Sequence, residues 1–332
     1  MTRRITAVFV ALLLVASFAS AQDTMQAVLR PDSTVFAIDA SKPAAQLEMS
    51  RRRGETNETL IVPTTDDDAI ESDARLVFDA ATGTVFVLWH RSAEGVDEIC
   101  LASLNANDEW SDVHVVASGA DAHRAGLQVI LTHAREEGDQ TETTLIHATW
   151  WSIGEELTPE YALVAFENGQ LLSTDVADLR TFTSKDGYAA HEATEPEDTG
   201  DAAYPPLAMS RAGKSVDVLF GGEQTTAVTR VRVEPKRVSS EARIWRPSGK
   251  TTQRTPPGRL TSLSTAPVQA FVSGDRIVLY TPDAQFRYSV FDGAKWTPVR
   301  MIELDENLTS EHLLQQLHRS VEEATTLAPK AQ

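Results

Sequence analysis

"ARLVFDAATGTVFVLW" (residues 74–89) decides the fold. Two short apolar runs flank a turn containing Gly83, and the second run ends on an aromatic. β-branched and aromatic residues over five to seven positions, interrupted by a residue that permits a tight turn, read as an antiparallel hairpin. The run "VFVLW" is continuous rather than alternating, the pattern of a strand covered on both faces.

The pattern recurs. It returns in "AGLQVILTHAREEGDQTETTLIHATW" (125–150), in "YPPLAMSRAGKSVDVLF" (204–220) and in "APVQAFVSGDRIVLY" (266–280). The closing aromatics are Trp89, Trp150, Phe220 and Tyr280, sixty to seventy residues apart. A fainter copy, "QAVLRPDSTVFAID" (26–39), passes through Phe36. A second phrase is also written twice, "NANDEWSDVHVV" (105–116) and "FDGAKWTPVRMI" (291–302), and reads as the turn and outer strand of one unit. Asn168-Gly169 and Asp292-Gly293 mark further tight turns. Helical periodicity is hard to find before residue 309. Small antiparallel sheets repeated in this way can stack radially, each burying both faces against its neighbours. The expected fold class is therefore all-β, a β-propeller of about five blades over residues 22–308. A large β-sandwich, or two, is the alternative. The units exceed a minimal blade, and the excess is read as loops at 184–203 and 246–258.

Both ends differ from this body. Arg3 and Arg4 precede an apolar run at 7–18, and Ala19-Ser20-Ala21 offers small residues for cleavage. The run is shorter than the roughly 20 residues needed to span a bilayer, so 1–21 reads as a signal peptide and the protein as exported, periplasmic or secreted. No membrane insertion is expected after cleavage. At the other end, "TSEHLLQQLHRSVEEA" (309–324) sets Leu313, Leu317 and Val321 on one helical face, with Thr309 or Ser310 as cap, and a polar tail closes 309–332.

Composition excludes some partners. The formal charge is −18, and loss of Arg3 and Arg4 with the leader takes it to −20. Such a surface repels phosphate backbones, so nucleic acid is not an expected partner. The single cysteine, Cys100, rules out an internal disulfide and sits in an apolar strand, where it reads as a buried, inert thiol. Stability must then come from core burial, which this length permits. The sequence leaves the oligomeric state open.

The two tryptophan phrases carry a family resemblance. Ser103, Asn105, Asn107 and Trp110 resemble the Asp-box of sialidase-like propellers of the exported bacterial type, Ser-x-Asp-x-Gly-x-x-Trp, with Asn105 in place of the Asp and Asn107 in place of the Gly. Ser289, Gly293 and Trp296 match the same pattern, with the Asp one place late at Asp292. The resemblance implies a propeller in which the Trp packs inward and the acid ties the turn. It also implies, for a sialidase, three arginines on a carboxylate, a Tyr–Glu pair and an Asp acid/base. The Arg-Ile-Pro motif is absent, and no arginine triad can be assigned.

Other catalytic signatures fail. "AGKS" (212–215) lacks the first glycine of a phosphate loop, "HEATE" (191–195) lacks the second histidine of a zinc protease, and no Gly-x-Ser-x-Gly elbow exists. The acidic run "TTDDDAIES" (64–72) lacks the spacing of a calcium loop. The eight histidines form no close pair at ligand spacing, so no metal and no cofactor is expected. The topology does make a surface prediction. Loops entering the first strand of each unit and loops leaving the second should share one face, polar and acidic, with His90, Arg91, His123, Arg124 and Trp151 as its other contributors. Trp151, next to the core position Trp150, is either an exposed aromatic for a ligand or packed between blades. The functional expectation is a non-catalytic recognition or scaffold protein of the cell envelope that binds a protein or a glycan. A carbohydrate-active hydrolase or lyase with an eroded signature and a pure spacer are the other readings, since the fold alone decides none of them.

Overall fold

A computed structural model describes residues 25–39, 43–64, 69–120, 123–135, 141–182, 207–221, 228–238, 244–253, 269–273, 276–281, 285–291 and 295–303. The proposed leader and the helix at 309–324 lie outside these residues, as do Asp292, Gly293 and the loop at 184–203. The described chain forms five four-stranded antiparallel sheets, each from four strands consecutive in sequence. Sheet 1 holds β1 (Met25–Leu29), β2 (Val35–Asp39), β3 (Glu48–Arg53) and β4 (Thr56–Ile61). Sheet 2 holds β5 (Ile70–Asp79), β6 (Thr84–Ala93), β7 (Val96–Leu104) and β8 (His114–Ala120). Sheet 3 holds β9 (His123–Ala134), β10 (Thr143–Ile153), β11 (Leu157–Glu167) and β12 (Gln170–Asp178), followed by a 3-10 turn, Leu179–Phe182. Sheet 4 holds β13 (Leu207–Ala212), β14 (Ser215–Gly221), β15 (Val228–Arg237) and β16 (Trp245–Gln253). Sheet 5 holds β17 (Gln269–Ser273), β18 (Arg276–Thr281), β19 (Gln285–Phe291) and β20 (Arg300–Glu303).

The sheets stack face to face as a β-propeller, with an apolar layer between each consecutive pair. Phe36, Ile38 and Met49 of sheet 1 meet Val85, Val87, Trp89 and Cys100 of sheet 2. Phe86, Leu88, Ile99 and Leu101, on the other face of sheet 2, meet Ile146, Trp150, Val164 and Phe166 of sheet 3. Trp151, Tyr161 and Leu163 then meet Val216, Val218, Phe220 and Val231 of sheet 4, and Leu219 and Val228 meet Ile277, Leu279 and Phe291 of sheet 5. Alternate residues of one strand thus enter different layers, which is why the second strands read as unbroken apolar runs. Cys100 is buried as expected, and burial pushes its thiol up to about 12.

Local turn chemistry fits the sequence. Asn168 and Gly169 have φ of 49° and 77° and close β11 onto β12, with Glu167 opposite Gln170. Positive φ at both central residues is the geometry whose twist suits a two-residue hairpin. The tryptophan phrases behave alike. Trp110 bridges back to Leu104 and Trp296 to Phe291, and each packs on an apolar layer before the chain enters the outer strand. Asn105 Oδ1 accepts the backbone N–H groups of Asn107 (2.8 Å) and Glu109 (3.0 Å). Ser103 and Ser289 each begin a short ladder, in which Ser111 Oγ accepts from Ser103 N–H (2.9 Å) and Ser289 Oγ donates to the Thr297 carbonyl (2.8 Å).

Two expectations need correction. Asn107 stands where the resembling pattern has a glycine, a place expected to be left-handed, but it is Asp108 that is left-handed, at φ 63°, in a turn closed by Asp108 N–H on the Asn105 carbonyl. Asp108 is also held by Arg30 (3.0 Å) and by Arg51 of sheet 1 (2.6 Å). Of the stretch 246–258 expected to be loop, residues 254–258 lie outside the described residues, and 246–253 belong to the outer strand β16. Its Pro247 and Gly249 suit an edge strand, where one side of the backbone needs no partner.

Candidate functional site

The first strands of sheets 2 and 3 carry the same irregularity. Ser72 pairs with His90 and Arg75 with Leu88, leaving Asp73 and Ala74 opposite Trp89. Ala125 pairs with Trp151 and Gln128 with Thr149, leaving Gly126 and Leu127 opposite Trp150. Each is a β-bulge whose first residue has positive φ, Asp73 at 49° and Gly126 at 71°. The bulge leaves Leu127 without a partner residue on β10, and sheet 2 supplies one. Asp73 Oδ2 accepts the Leu127 N–H (2.8 Å), Arg75 Nε donates to the Leu127 carbonyl (2.6 Å), and Arg75 pairs with Asp73 Oδ1 (2.8 Å). Buried backbone groups need such partners, and here they lock sheet 2 to sheet 3 just beneath one end of both.

Beyond the bulges, that end of sheet 2 carries two polar clusters on opposite faces. Towards sheet 1, Glu71 and Arg91 are cross-strand neighbours, and Arg91 Nε donates to Glu98 Oε2 (2.7 Å). Glu71 is sealed: its backbone bridges Ala44, its Oε1 accepts from Thr64 Oγ1 (3.0 Å), and its residue is 1% exposed. Its Oε2 is buried without a hydrogen bond; the Trp89 indole N–H lies beside the carboxylate but outside hydrogen-bond geometry. Burial raises the Glu71 pKa above the usual carboxylate value, against the pull of Thr64 and Arg91.

Towards sheet 3, β6 and β7 supply His90 and Asp97, and β9 supplies His123 and Arg124. His123 Nδ1 lies 2.9 Å from Asp97 Oδ2, and His90 Nε2 lies 3.5 Å from Asp97 Oδ1. The imidazoles stand edge to face with centroids 5.3 Å apart. His90 Nδ1 is 3.1 Å from Ser72 Oγ. The Arg124 guanidinium donates to the Asp97 carbonyl, and Arg124 Nε lies 3.8 Å from Glu160 Oε2, which also accepts from the Trp150 indole at 2.6 Å. Burial lowers the His90 pKa against the pull of Asp97. Burial would raise Asp97, but the Ser92 hydrogen bond and the two histidines hold it below the ordinary value.

His90, Arg91, His123 and Arg124 thus lie at one end of the stack, where the entering and leaving loops of sheets 2 and 3 meet. Of the four, only His123 is open to solvent; the others are buried and engaged within the protein. Trp151 is not a surface aromatic. It is 1% exposed and meets the Phe220 ring at 6.5 Å in the layer between sheets 3 and 4. Pointing away from the layer of Trp150 does not lead to water, because in a propeller the other face meets the next sheet. The His90–Asp97–His123 cluster escaped the sequence reading, because residues 90 and 123 converge only through the packing of two sheets. Its sole prior signal was the shared-face argument from topology.

No protein-family model and no curated protein sequence matches the chain. Among solved structures it is similar to an exo-β-1,3-galactanase from Phanerochaete chrysosporium, at 7% identity and a TM-score of 0.34 over 81% of this chain and 60% of that one. It is also similar to an exo-1,5-α-L-arabinanase from a bovine ruminal metagenomic library, at 10% identity and a TM-score of 0.34 over 86% and 94% of the two chains. The WD40 domain of SCAP from fission yeast is similar at 9% identity and a TM-score of 0.27 over 86% of each. The chain spans about 60% of the length of the galactanase structures.

Proposed function

We propose that the protein is an exported, non-catalytic recognition or scaffold component of the cell envelope, which engages a protein or a glycan through the loop face of its propeller over sheets 2 and 3. The observation that carries this reading is the state of three acids described beside the His90–His123 pair. Asp97 is held by His123, Glu98 by Arg91, and Glu160 by the Trp150 indole. A glycoside hydrolase needs two carboxyl groups facing each other across the sugar, roughly 5 to 10 Å apart and open to it. Among the described residues the one carboxyl raised by burial, Glu71, is closed off between sheets 1 and 2. The leader-like segment 1–21 supports export, and the two tryptophan turns are read as degenerate Asp-boxes with a structural part only.

Glu71 is also what favours the second reading, a carbohydrate-active hydrolase or lyase, since such an enzyme needs as its acid a carboxyl whose pKa is raised by its surroundings. The purified protein is to be screened on a glycan array, against a panel of glycosides, and by capture from an envelope extract. Binding of a glycan or a defined envelope protein without turnover is the expected result. Turnover of a glycoside that Glu71→Gln abolishes would overturn the recognition reading, and silence in all three would leave the spacer.

A further inference from the structure

We propose that His90, Asp97 and His123 form a binding site for a borderline divalent transition-metal ion of the zinc class, bridging sheets 2 and 3. One donor atom from each residue falls within 4.8 Å of the others, a spread that a single ion can draw together. The site is built rather than incidental. His90 and Asp97 are 5% and 7% exposed, and the His90 Nε2 atom is buried without a hydrogen bond while facing the cluster. A buried nitrogen that approaches Asp97 only at 3.5 Å, without a hydrogen bond, costs free energy that a ligand recovers. The second nitrogen of His90 meets Ser72 Oγ, the outer contact that fixes ring orientation in metal-bound histidines.

The donor set selects the ion. Two imidazoles and one carboxylate suit zinc, cobalt or nickel, whereas calcium and magnesium require six or more oxygen donors. The Arg124 guanidinium on the Asp97 carbonyl offsets the local negative charge and opposes any cation, so the ion must be held by the imidazole nitrogens rather than by charge. His123, with a side chain 59% exposed, leaves open coordination positions on the solvent side for water or for a group of an arriving partner. The site contributes ligands from β6, β7 and β9, so the ion would also tie two blades together at the proposed binding face. This inference does not depend on what that face recognises.

The test uses the purified protein after dialysis against a chelator. Zn²⁺ is titrated calorimetrically and Co²⁺ by its visible absorption. The expected result is one equivalent of either ion, a rise in thermal midpoint with Zn²⁺, and visible bands of nitrogen- and oxygen-bound Co²⁺. His123→Ala should weaken binding by at least about tenfold, the low end of what loss of even an outer-contact residue costs a metal site. Its side chain is exposed, so the variant should keep the circular dichroism of the parent. Asp97→Asn should weaken binding similarly, and His133→Ala, at the far end of the sheet beside Asp79, should leave it unchanged. Absence of binding at tens of micromolar metal, or binding that His123→Ala leaves undiminished, would overturn the proposal.

Discussion

Two buried side chains define what this protein asks of single residues. Trp151 fills the layer between sheets 3 and 4, so Trp151→Ala should cost about 3–5 kcal/mol by chemical denaturation, the range for removing a large core aromatic. A surface aromatic would change stability by no more than about 0.5 kcal/mol, so the measurement separates the two positions. His147 lies fully buried in sheet 3, beside Thr132 Oγ1 (2.7 Å) and the Tyr161 hydroxyl, and burial lowers its pKa to about 3. Unfolding exposes it to water, where it titrates near 6.5. Above that pH both states are neutral and the term vanishes. Between about 6.5 and 3 the unfolded state binds the extra proton, so stability falls as pH falls, by up to about 1.4 kcal/mol per pH unit. His147→Gln, which keeps a donor and an acceptor, should flatten the pH dependence of the urea midpoint over that window. An unchanged slope would mean that His147 is protonated in the fold.

At the level of elements, glycines mark where strands depart from regularity. Gly126 starts the bulge of β9 at φ 71°, with the Trp151 ring 3.7 Å from the place a Cβ would occupy. Gly249 in β16 has a different reason. A Cβ there would fall 2.2 Å from the Phe182 ring, which comes from the 3-10 turn after sheet 3. Thr251 Oγ1 donates to the Phe182 carbonyl (3.0 Å), so the turn is anchored on β16 and the ring has little room to withdraw. Gly249→Ala should therefore destabilise by about 1–3 kcal/mol, the cost of overpacking, where an ordinary strand position would gain from the change. Thermal denaturation of the single variant decides it. The loop-like look of residues 246–253 has the same origin. An outer strand with Pro247 and Gly249 carries loop composition, because half its backbone needs no partner and little of its surface enters a core.

Across the whole molecule, apolar layers and a strong negative charge act in opposition. Every consecutive pair of sheets shares a layer, and buried polar links cross between them. Asp79 accepts from Thr144 Oγ1 (2.7 Å) and pairs with His133 (2.9 Å), and the Arg230 guanidinium covers the Phe291 ring at 4.2 Å. The charge of −18 repels itself in the compact state. Raising ionic strength from about 0.01 M to 0.15 M shortens the screening length from roughly 30 Å to 8 Å. The thermal midpoint should rise over that range, and a fall would mean that attractive ion pairs outweigh the net repulsion.

The sequence by itself determined the class, the repeat and the turns, because these rest on contacts between near neighbours. Paired apolar runs, Asn168-Gly169 and the twice-written tryptophan phrase each report local geometry. They also carried the shared end of the sheets, since strand order fixes which loops sit together. Only the tertiary structure decided which side of each strand meets which neighbour. It buried Trp151, sealed Glu71, and set His123 against Asp97 and His90. Those outcomes depend on bulges that shift side chains between faces and on stacking between sheets. Neither leaves a mark in residue spacing, because the partners are dozens of positions apart and their approach is fixed by the packing of the layers between them.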